Sequence, residues 1–166
     1  MPSQKQPDPE FDVAAFVARL QGSGRLLGLD LGSKTIGLAI SDSQWTVASP
    51  VETIRRTKFG ADANSLLEVV GHRDINGLVI GWPINMNGSE GPRCQSTRAF
   101  AKNLSKLSDI PVLFWDERLS SVAADRAMLE ADLSRAKRAD NIDRIAASLI
   151  LQSALDRLAN VRDFDE

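Results

Sequence analysis

Three short runs of almost wholly apolar residues constrain the fold of this chain more than any other feature. They lie at residues 26–32, 77–82 and 111–115, and turn-forming residues separate them from the segments that follow. Runs of this length and composition are typical of strands that are covered on both faces of a sheet. We therefore expect a layered α/β protein in which these runs are buried strands.

The remaining elements follow from turn signals and apolar periodicity. Further strands are predicted at residues 36–42 and 46–54, and Pro50 places the second of them at an edge or a bulge. Apolar stripes at helical spacing predict helices at residues 62–72, 93–107, 120–133 and 141–158. This order predicts a five-stranded mixed sheet with helices on both faces. We assign residues 25–158 to the domain, 1–24 to an N-terminal extension with a short helix at 11–20, and 159–166 to a C-terminal tail.

Length and composition set the class of protein. The 166 residues suffice for one domain with a substantial core. No apolar run approaches the roughly 20 residues that span a bilayer, and the polar first ten residues lack the pattern of a secretion signal. The single cysteine, Cys94, excludes an internal disulfide and lies on the apolar stripe of a predicted helix, where a thiol packs as a small hydrophobe. We expect a cytoplasmic protein with no membrane segment.

The net charge of −2 neither supports nor excludes nucleic-acid binding, because phosphate binding depends on local basic density. Two clusters provide such density, one before the first long helix and one before the last. They consist of Arg55, Arg56 and Lys58, and of Arg135, Lys137 and Arg138. Each cluster is equally well explained as a solvated loop.

Asp30 is an acidic residue inside the first apolar run. Burying an unpaired charge costs on the order of several kcal/mol, so this position needs a partner. One explanation is that Asp30 caps the turn at residues 32–35. The other is that its partner is a bound cation.

Two further acidic positions lie beside apolar sequence. Asp116 and Glu117 end the fifth strand, and because adjacent strand residues point to opposite faces, only one of them can share a site with Asp30. Asp143 lies on a small apolar helix face with Ala146 and Ala147, so its carboxylate is expected to face the sheet. Capping of that helix, with Asp140 as N-cap, explains Asp143 as well.

Together these acids come from a first strand, a late strand and a final helix. Hard oxygen ligands from separate elements suit Mg²⁺ or Mn²⁺, and paired ions of this kind activate water for attack at phosphorus. Zinc is not expected in a chain with one cysteine and one histidine, His72, which lies among polar residues.

The chain also resembles the YqgF/RuvX family. Four stretches carry the resemblance in the family's order: GLDLGSKTIGLAISD (28–42), VIGWPINMNGSEGPR (79–93), FWDERLSS (114–121) and NIDRIAASLILQSALD (141–156). The resemblance implies a ribonuclease-H-like fold related to Holliday-junction resolvases, and a role in maturing the 5′ end of pre-16S ribosomal RNA. It also implies that Asp30, Glu117 and Asp143 are the catalytic and metal-binding acids, which selects Glu117 over Asp116.

Other residues of these motifs are predicted to bind substrate. Lys34 and Arg118 follow the acids closely enough to reach a phosphate or to orient a carboxylate, and the loop from Asn85 to Arg93 offers free N–H groups. Turn formation or solvation explains them equally well. Trp82 departs from the family pattern, since a smaller aliphatic residue is expected there.

Several alternatives to a pre-rRNA nuclease remain open. The substrate could be branched DNA, or the domain could bind RNA without cleaving it. The segment DLGSKTIGLAISD also resembles the first phosphate loop of actin-like ATPases and sugar kinases, but those proteins close two such lobes around the nucleotide. The expected partners are nucleic acid and ribosome-assembly factors, without a membrane. The related resolvases act as dimers, but this sequence displays no self-complementary surface, so we expect a monomer or a homodimer.

Overall fold

A computed structural model describes residues 11–132 and 135–165 of the chain. Its five strands are β1 (Arg25–Leu31), β2 (Thr35–Ser41), β3 (Ala48–Arg55), β4 (Ile75–Trp82) and β5 (Val112–Asp116). Its helices are α1 (Val13–Arg19), α2 (Phe59–His72), α3 (Pro92–Ser105), α4 (Val122–Asp132) and α5 (Arg135–Asp165), with a 3-10 turn at Glu117–Leu119. None of the helices in the described ranges is both long and apolar enough to cross a bilayer.

The strands form one mixed sheet in the order β3-β2-β1-β4-β5. The first three strands make an antiparallel meander, and β1, β4 and β5 run parallel to one another. Pro50 lies in the edge strand β3, where the register shifts opposite Leu38 and Ala39. The predicted five-stranded mixed sheet is confirmed, and Pro50 occupies both of its expected settings, since it is at an edge and beside a bulge.

The sheet separates two apolar cores. Ala63 and Leu66 of α2 and Cys94 of α3 pack on one face, and Cys94 is fully buried as expected. Phe16 of α1 and Ile150 of α5 belong to the core on the other face. The helices therefore cover both faces, as the order of elements predicts.

Helix α5 differs from its predicted limits. It begins at Arg135 rather than at residue 141, and it continues to Asp165 through the segment predicted as a C-terminal tail. The residues from 135 to 165 include no glycine or proline, and alanine, arginine and lysine favour helix, so nothing in the sequence stops the helix there. Asp140 therefore lies inside the helix and is not its N-cap.

Some sequence predictions fall outside the described residues. These are residues 1–10 and the side chains of Arg135, Lys137, Arg138 and Asp140.

Candidate active site

Asp30 projects from β1 toward α5. Side chains alternate between the two faces of a strand, so Leu26, Gly28 and Asp30 share one face. This face meets α5, since Leu26 packs in the α5 core and a Cβ atom at Gly28 would lie 2.7 Å from the Cβ of Leu151. Asp30 is only 1% exposed. Its carboxylate therefore lies beneath the helix that carries Asp143.

Asp143 reaches Asp30 because α5 packs its backbone directly on the sheet. A Cβ atom at Gly37 would overlap the carbonyl oxygen of Asp143, and one at Gly32 would lie 2.9 Å from its Oδ2 atom. Gly37 is the register partner of Asp30 across β1 and β2. The glycine at position 37 thus lets the helix place Asp143 beside Asp30.

Glu117 lies on the same face of the sheet. Its Oε1 atom would be 2.8 Å from a Cβ atom at Gly81, which also faces Ile150 of α5. Asp116 points elsewhere, because its carboxylate accepts a hydrogen bond from the backbone N–H of Arg118 at 2.9 Å and pairs with the Arg118 guanidinium at 2.8 Å. The strand ends at Asp116, and the 3-10 turn that follows directs Glu117 toward the other acids.

The three acids perturb one another. Burial raises the pKa of Asp30, although the nearby charge of Arg126 opposes this shift. Burial also raises the pKa of Glu117 and raises that of Asp143 to about 7, and in both cases the negative charge of Asp30 adds to the effect. Raised pKa values at clustered carboxyl groups indicate a site that is stabilised by added positive charge.

Protein groups already bind two of these carboxylates. The Arg126 Nη2 atom lies 3.1 Å from Asp30 Oδ2, and the Thr35 hydroxyl donates a hydrogen bond to Asp143 Oδ2. Asp30 Oδ1 is buried and accepts no hydrogen bond from a nitrogen or hydroxyl donor among the described residues, although the Asp143 carboxyl group is close enough to Asp30 to share a proton with it. The sequence reasoning missed Arg126, although it lies four residues after the buried Val122 and so on the inward stripe of α4.

The acidic side chains offer the oxygen ligands that a hard divalent cation prefers, but they lie too far apart to bind one ion together. Three carboxylates, one of which has the orphaned buried oxygen Asp30 Oδ1, are ligands of the type that Mg²⁺ and Mn²⁺ prefer. In residues 11–132 and 135–165, however, no three acidic, histidine or cysteine side chains are close enough to hold an ion together. Binding of a shared ion by all three acids would therefore require side-chain movement.

Two adjoining cavities lie along the acids. The larger, of about 640 Å³, contains Asp30 and Asp143 with the predicted substrate residue Lys34, and also Arg56. The smaller, of about 450 Å³, contains Glu117 with two other predicted substrate residues, Asn85 and Arg118. Arg93, the fourth, lines both cavities, as does Arg126. The cleft thus carries basic side chains on both sides of the acids.

The structure gives the predicted substrate residues local partners as well. Arg118 pairs with Asp116 rather than with Glu117, so in this state it does not orient the Glu117 carboxylate. Asn85 donates a hydrogen bond to Ser89 within its loop, and Arg93 Nη2 lies 3.4 Å from the Leu31 carbonyl oxygen. Lys34 precedes Thr35 in the turn that joins β1 to β2.

Known proteins similar to this chain include close relatives in sequence. One, named "Putative pre-16S rRNA nuclease", from Ruegeria sp. (strain TM1040), is 62% identical over 147 residues, which cover 89% of this chain and 94% of the relative. Another of the same name, from Rhodobacter capsulatus, is 60% identical over 146 residues, which cover 88% and 92%. These alignments extend over most of both chains.

A solved structure supports the fold. The RuvC protein of Thermus thermophilus, in complex with a Holliday junction substrate, superposes with a TM-score of 0.52 and covers 81% of this chain and 96% of its own. The sequence identity is 14%, so this likeness concerns the ribonuclease-H-like fold alone. The model of the RuvX family, described as Holliday junction resolvase, matches residues 24–157. The chain therefore belongs to the RuvX family of resolvase-like nucleases.

Proposed function

We propose that this protein is a divalent-metal-dependent nuclease that hydrolyses phosphodiester bonds near the 5′ end of pre-16S ribosomal RNA. The observation that carries the proposal is the grouping of Asp30, Glu117 and Asp143 on one face of the sheet, beside a cleft with basic walls. The names of the relatives support the choice of RNA. Cytoplasmic location, a monomeric or dimeric state and contact with ribosome-assembly factors remain predictions.

The proposed chemistry assigns a role to each side of the cleft. Asp30, Glu117 and Asp143 would hold Mg²⁺ or Mn²⁺, which supplies Lewis acidity at the phosphate and lowers the pKa of water. Burial in this apolar setting disfavours three negative charges side by side, and only Asp30 has an ion-pair partner, so a bound cation would stabilise the charged form of the acids. Lys34 and Arg93 would bind phosphates in the larger cavity, and Asn85 and Arg118 would bind them in the smaller one.

The direct test is cleavage of an RNA that contains the precursor sequence before the 16S 5′ end, in Mn²⁺ and in EDTA. Asp30→Asn removes one charge at nearly constant volume and should abolish the metal-dependent cleavage. Asp42→Asn is the matched control, because Asp42 directly follows β2 and its carboxylate accepts hydrogen bonds from Thr46 and Val47 within its own loop, away from the three acids. Cleavage by Asp30→Asn at the wild-type rate would refute the proposed site.

A four-way DNA junction is the second substrate to test, because the family model is described as a Holliday junction resolvase. Cleavage of the junction without cleavage of the precursor RNA would reassign the substrate and keep the chemistry. If wild-type protein binds RNA but cleaves neither substrate in Mn²⁺ or Mg²⁺, the domain is a non-catalytic binding module.

A further inference from the structure

We propose that Arg126 is an internal counter-ion that occupies Asp30 in the metal-free protein and moves to a substrate phosphate when a cation binds. Cation and RNA would then each strengthen the binding of the other. The inference rests on the proposed function, because it concerns the same acids. It gives a role to a residue that lies outside the predicted set of catalytic and substrate-binding residues.

The position of Arg126 between the two cavities is the first observation. Asp30 lines only the larger cavity and Glu117 only the smaller, whereas Arg126 lines both. Its side chain is 24% exposed and reaches inward from α4 to a carboxylate that is almost fully buried. The guanidinium therefore lies at the entrance to Asp30, between the cleft and the acid.

The incompleteness of the Arg126–Asp30 ion pair is the second observation. An arginine and a carboxylate can form two parallel hydrogen bonds, but here one contact of 3.1 Å joins Nη2 to Oδ2. The Arg126 Nε atom and the Asp30 Oδ1 atom are both buried, and in the described part of the chain neither binds a group of opposite charge, since the other group within reach of Asp30 is the acidic Asp143. Unsatisfied buried groups cost free energy, so this pair is a poorly satisfied state of both side chains.

Exchange of partners would satisfy both side chains. A divalent cation brings twice the charge of a guanidinium to the acids and can bind the orphaned Oδ1 atom. A phosphate offers oxygens that accept from Nε and Nη2 together, which is the geometry that arginine prefers. The freed Arg126 would lie beside Arg93, which also lines both cavities, so the two arginines can bind one phosphate from α3 and α4.

Thermodynamic linkage turns this exchange into a measurable coupling. If Arg126 competes with the cation for Asp30 and RNA binds the released arginine, RNA must raise the affinity for the cation, and the cation must raise the affinity for RNA by the same factor. Arg126→Met retains most of the side-chain length but removes the charge. It should therefore remove both the competition and the coupling.

The test is Mn²⁺ binding, followed by electron paramagnetic resonance of the free ion, with and without a hydrolysis-resistant phosphorothioate RNA. In wild-type protein the RNA should lower the Mn²⁺ Kd by about 5-fold or more, the lower end of typical coupling. Arg126→Met should bind Mn²⁺ about 10-fold more tightly than wild type without RNA, and RNA should then change the Kd less than about 2-fold. Arg126→Gln should behave in the same way, which guards against a folding defect in one variant.

Arg93→Met is the matched control, because Arg93 lowers the pKa of Asp30 through space but forms no ion pair with it among the described contacts. It should tighten Mn²⁺ binding much less than Arg126→Met. The inference is overturned if Arg93→Met and Arg126→Met lower the Mn²⁺ Kd equally without RNA. It is also overturned if neither Arg126 variant binds Mn²⁺ more tightly than wild type. Asp30→Asn should lose Mn²⁺ binding in the same assay. If wild type shows the coupling but cleaves no nucleic acid, the proposed function fails while this inference stands. If wild type cleaves RNA but shows no coupling, this inference fails while the proposed function stands.

Discussion

Asp116 and Glu117 are neighbours in the chain, but their carboxyl groups lie in opposite electrostatic environments. Hydrogen bonds from Arg118 lower the pKa of Asp116, whereas burial raises that of Glu117. The protein thus satisfies the first carboxylate, whereas the charged form of the second is disfavoured by burial and by the neighbouring charge of Asp30 more than Arg126 and Arg93 favour it. This contrast supports Glu117 as the acid of the site.

Glu117→Gln should therefore reduce cleavage by at least about 100-fold, the scale expected for loss of a positioned catalytic group. Asp116→Asn should cost far less, within about 10-fold, because it loosens Arg118 without touching the other acids. Initial rates at saturating Mn²⁺ distinguish the two. The assignment fails if Asp116→Asn is the more damaging change.

Asp143 makes the stability of the metal-free protein depend on pH. Its pKa is raised to about 7 from an ordinary value of 3.8, so between these values the folded protein holds more protons than the unfolded chain. The contribution of Asp143 to the free energy of unfolding must then fall as pH rises from about 4 to 7. In EDTA, Asp143→Asn should make this decline in Tm shallower, although Asp30 and Glu117 contribute in the same direction. A decline as steep as in wild type would contradict the raised pKa.

The sequence predicts the acids better than it predicts their partners. Asp30 and Asp143 are visible because a buried charge is costly, and apolar neighbours in the sequence are enough to predict the burial. Arg126 and Thr35 bind those carboxylates from another helix and another strand. No local pattern encodes such contacts, because they depend on how α4, α5 and β2 pack together.

Helix α5 is the element on which the site depends most. Small residues such as Ala146 and Ala147 predict a helix face that can approach the sheet closely, and the structure adds glycines at the facing positions 28, 37 and 81. The approach was predictable, but the start of the helix was not. Residues 135–140 have high helix propensity and also form a charged cluster that is typical of a loop, and sequence alone does not decide between them.

Gly37→Ala tests this close approach. The added methyl group would overlap the backbone of Asp143, so α5 must shift, and we expect the free energy of unfolding to fall by about 1–3 kcal/mol, as in overpacked cores. Cleavage should fall as well, because Asp143 moves with the helix. Gly60→Ala is the matched control, since no atom lies within 4 Å of its added Cβ in α2 and alanine favours helix by about 0.5–1 kcal/mol. Urea unfolding of both variants gives the comparison, and a neutral Gly37→Ala would refute the packing.

On the scale of the whole molecule, the N-terminal segment joins both cores beside the edge strand β5. Phe16 is fully buried in the core that α5 covers. On the opposite face of the sheet, the centroid of the Phe11 ring lies 5.1 Å from the ring centroids of Trp82 and Phe114. This contact gives a physical reason for Trp82, where the family pattern predicts a smaller aliphatic residue. The larger Trp82 ring offers a surface for Phe11. The guanidinium of Arg98, a residue of α3, lies over the same ring with its Cζ atom 5.0 Å from the ring centroid.

The segment predicted as an extension should therefore behave thermodynamically as part of the domain. Phe16→Ala removes a fully buried ring and should lower the free energy of unfolding by about 3–5 kcal/mol, a large share of the 5–15 kcal/mol typical of a domain. Phe11→Ala should cost less than about 1 kcal/mol, because Phe11 is 56% exposed and retains only its ring contacts. Urea unfolding followed by the fluorescence of the three tryptophans measures both, since Trp82 lies in the core beside Phe11, and Trp115 belongs to the core that contains Phe16, against which Trp45 packs. If Phe16→Ala cost no more than Phe11→Ala, residues 11–20 would be an appendage, and the core would begin at β1.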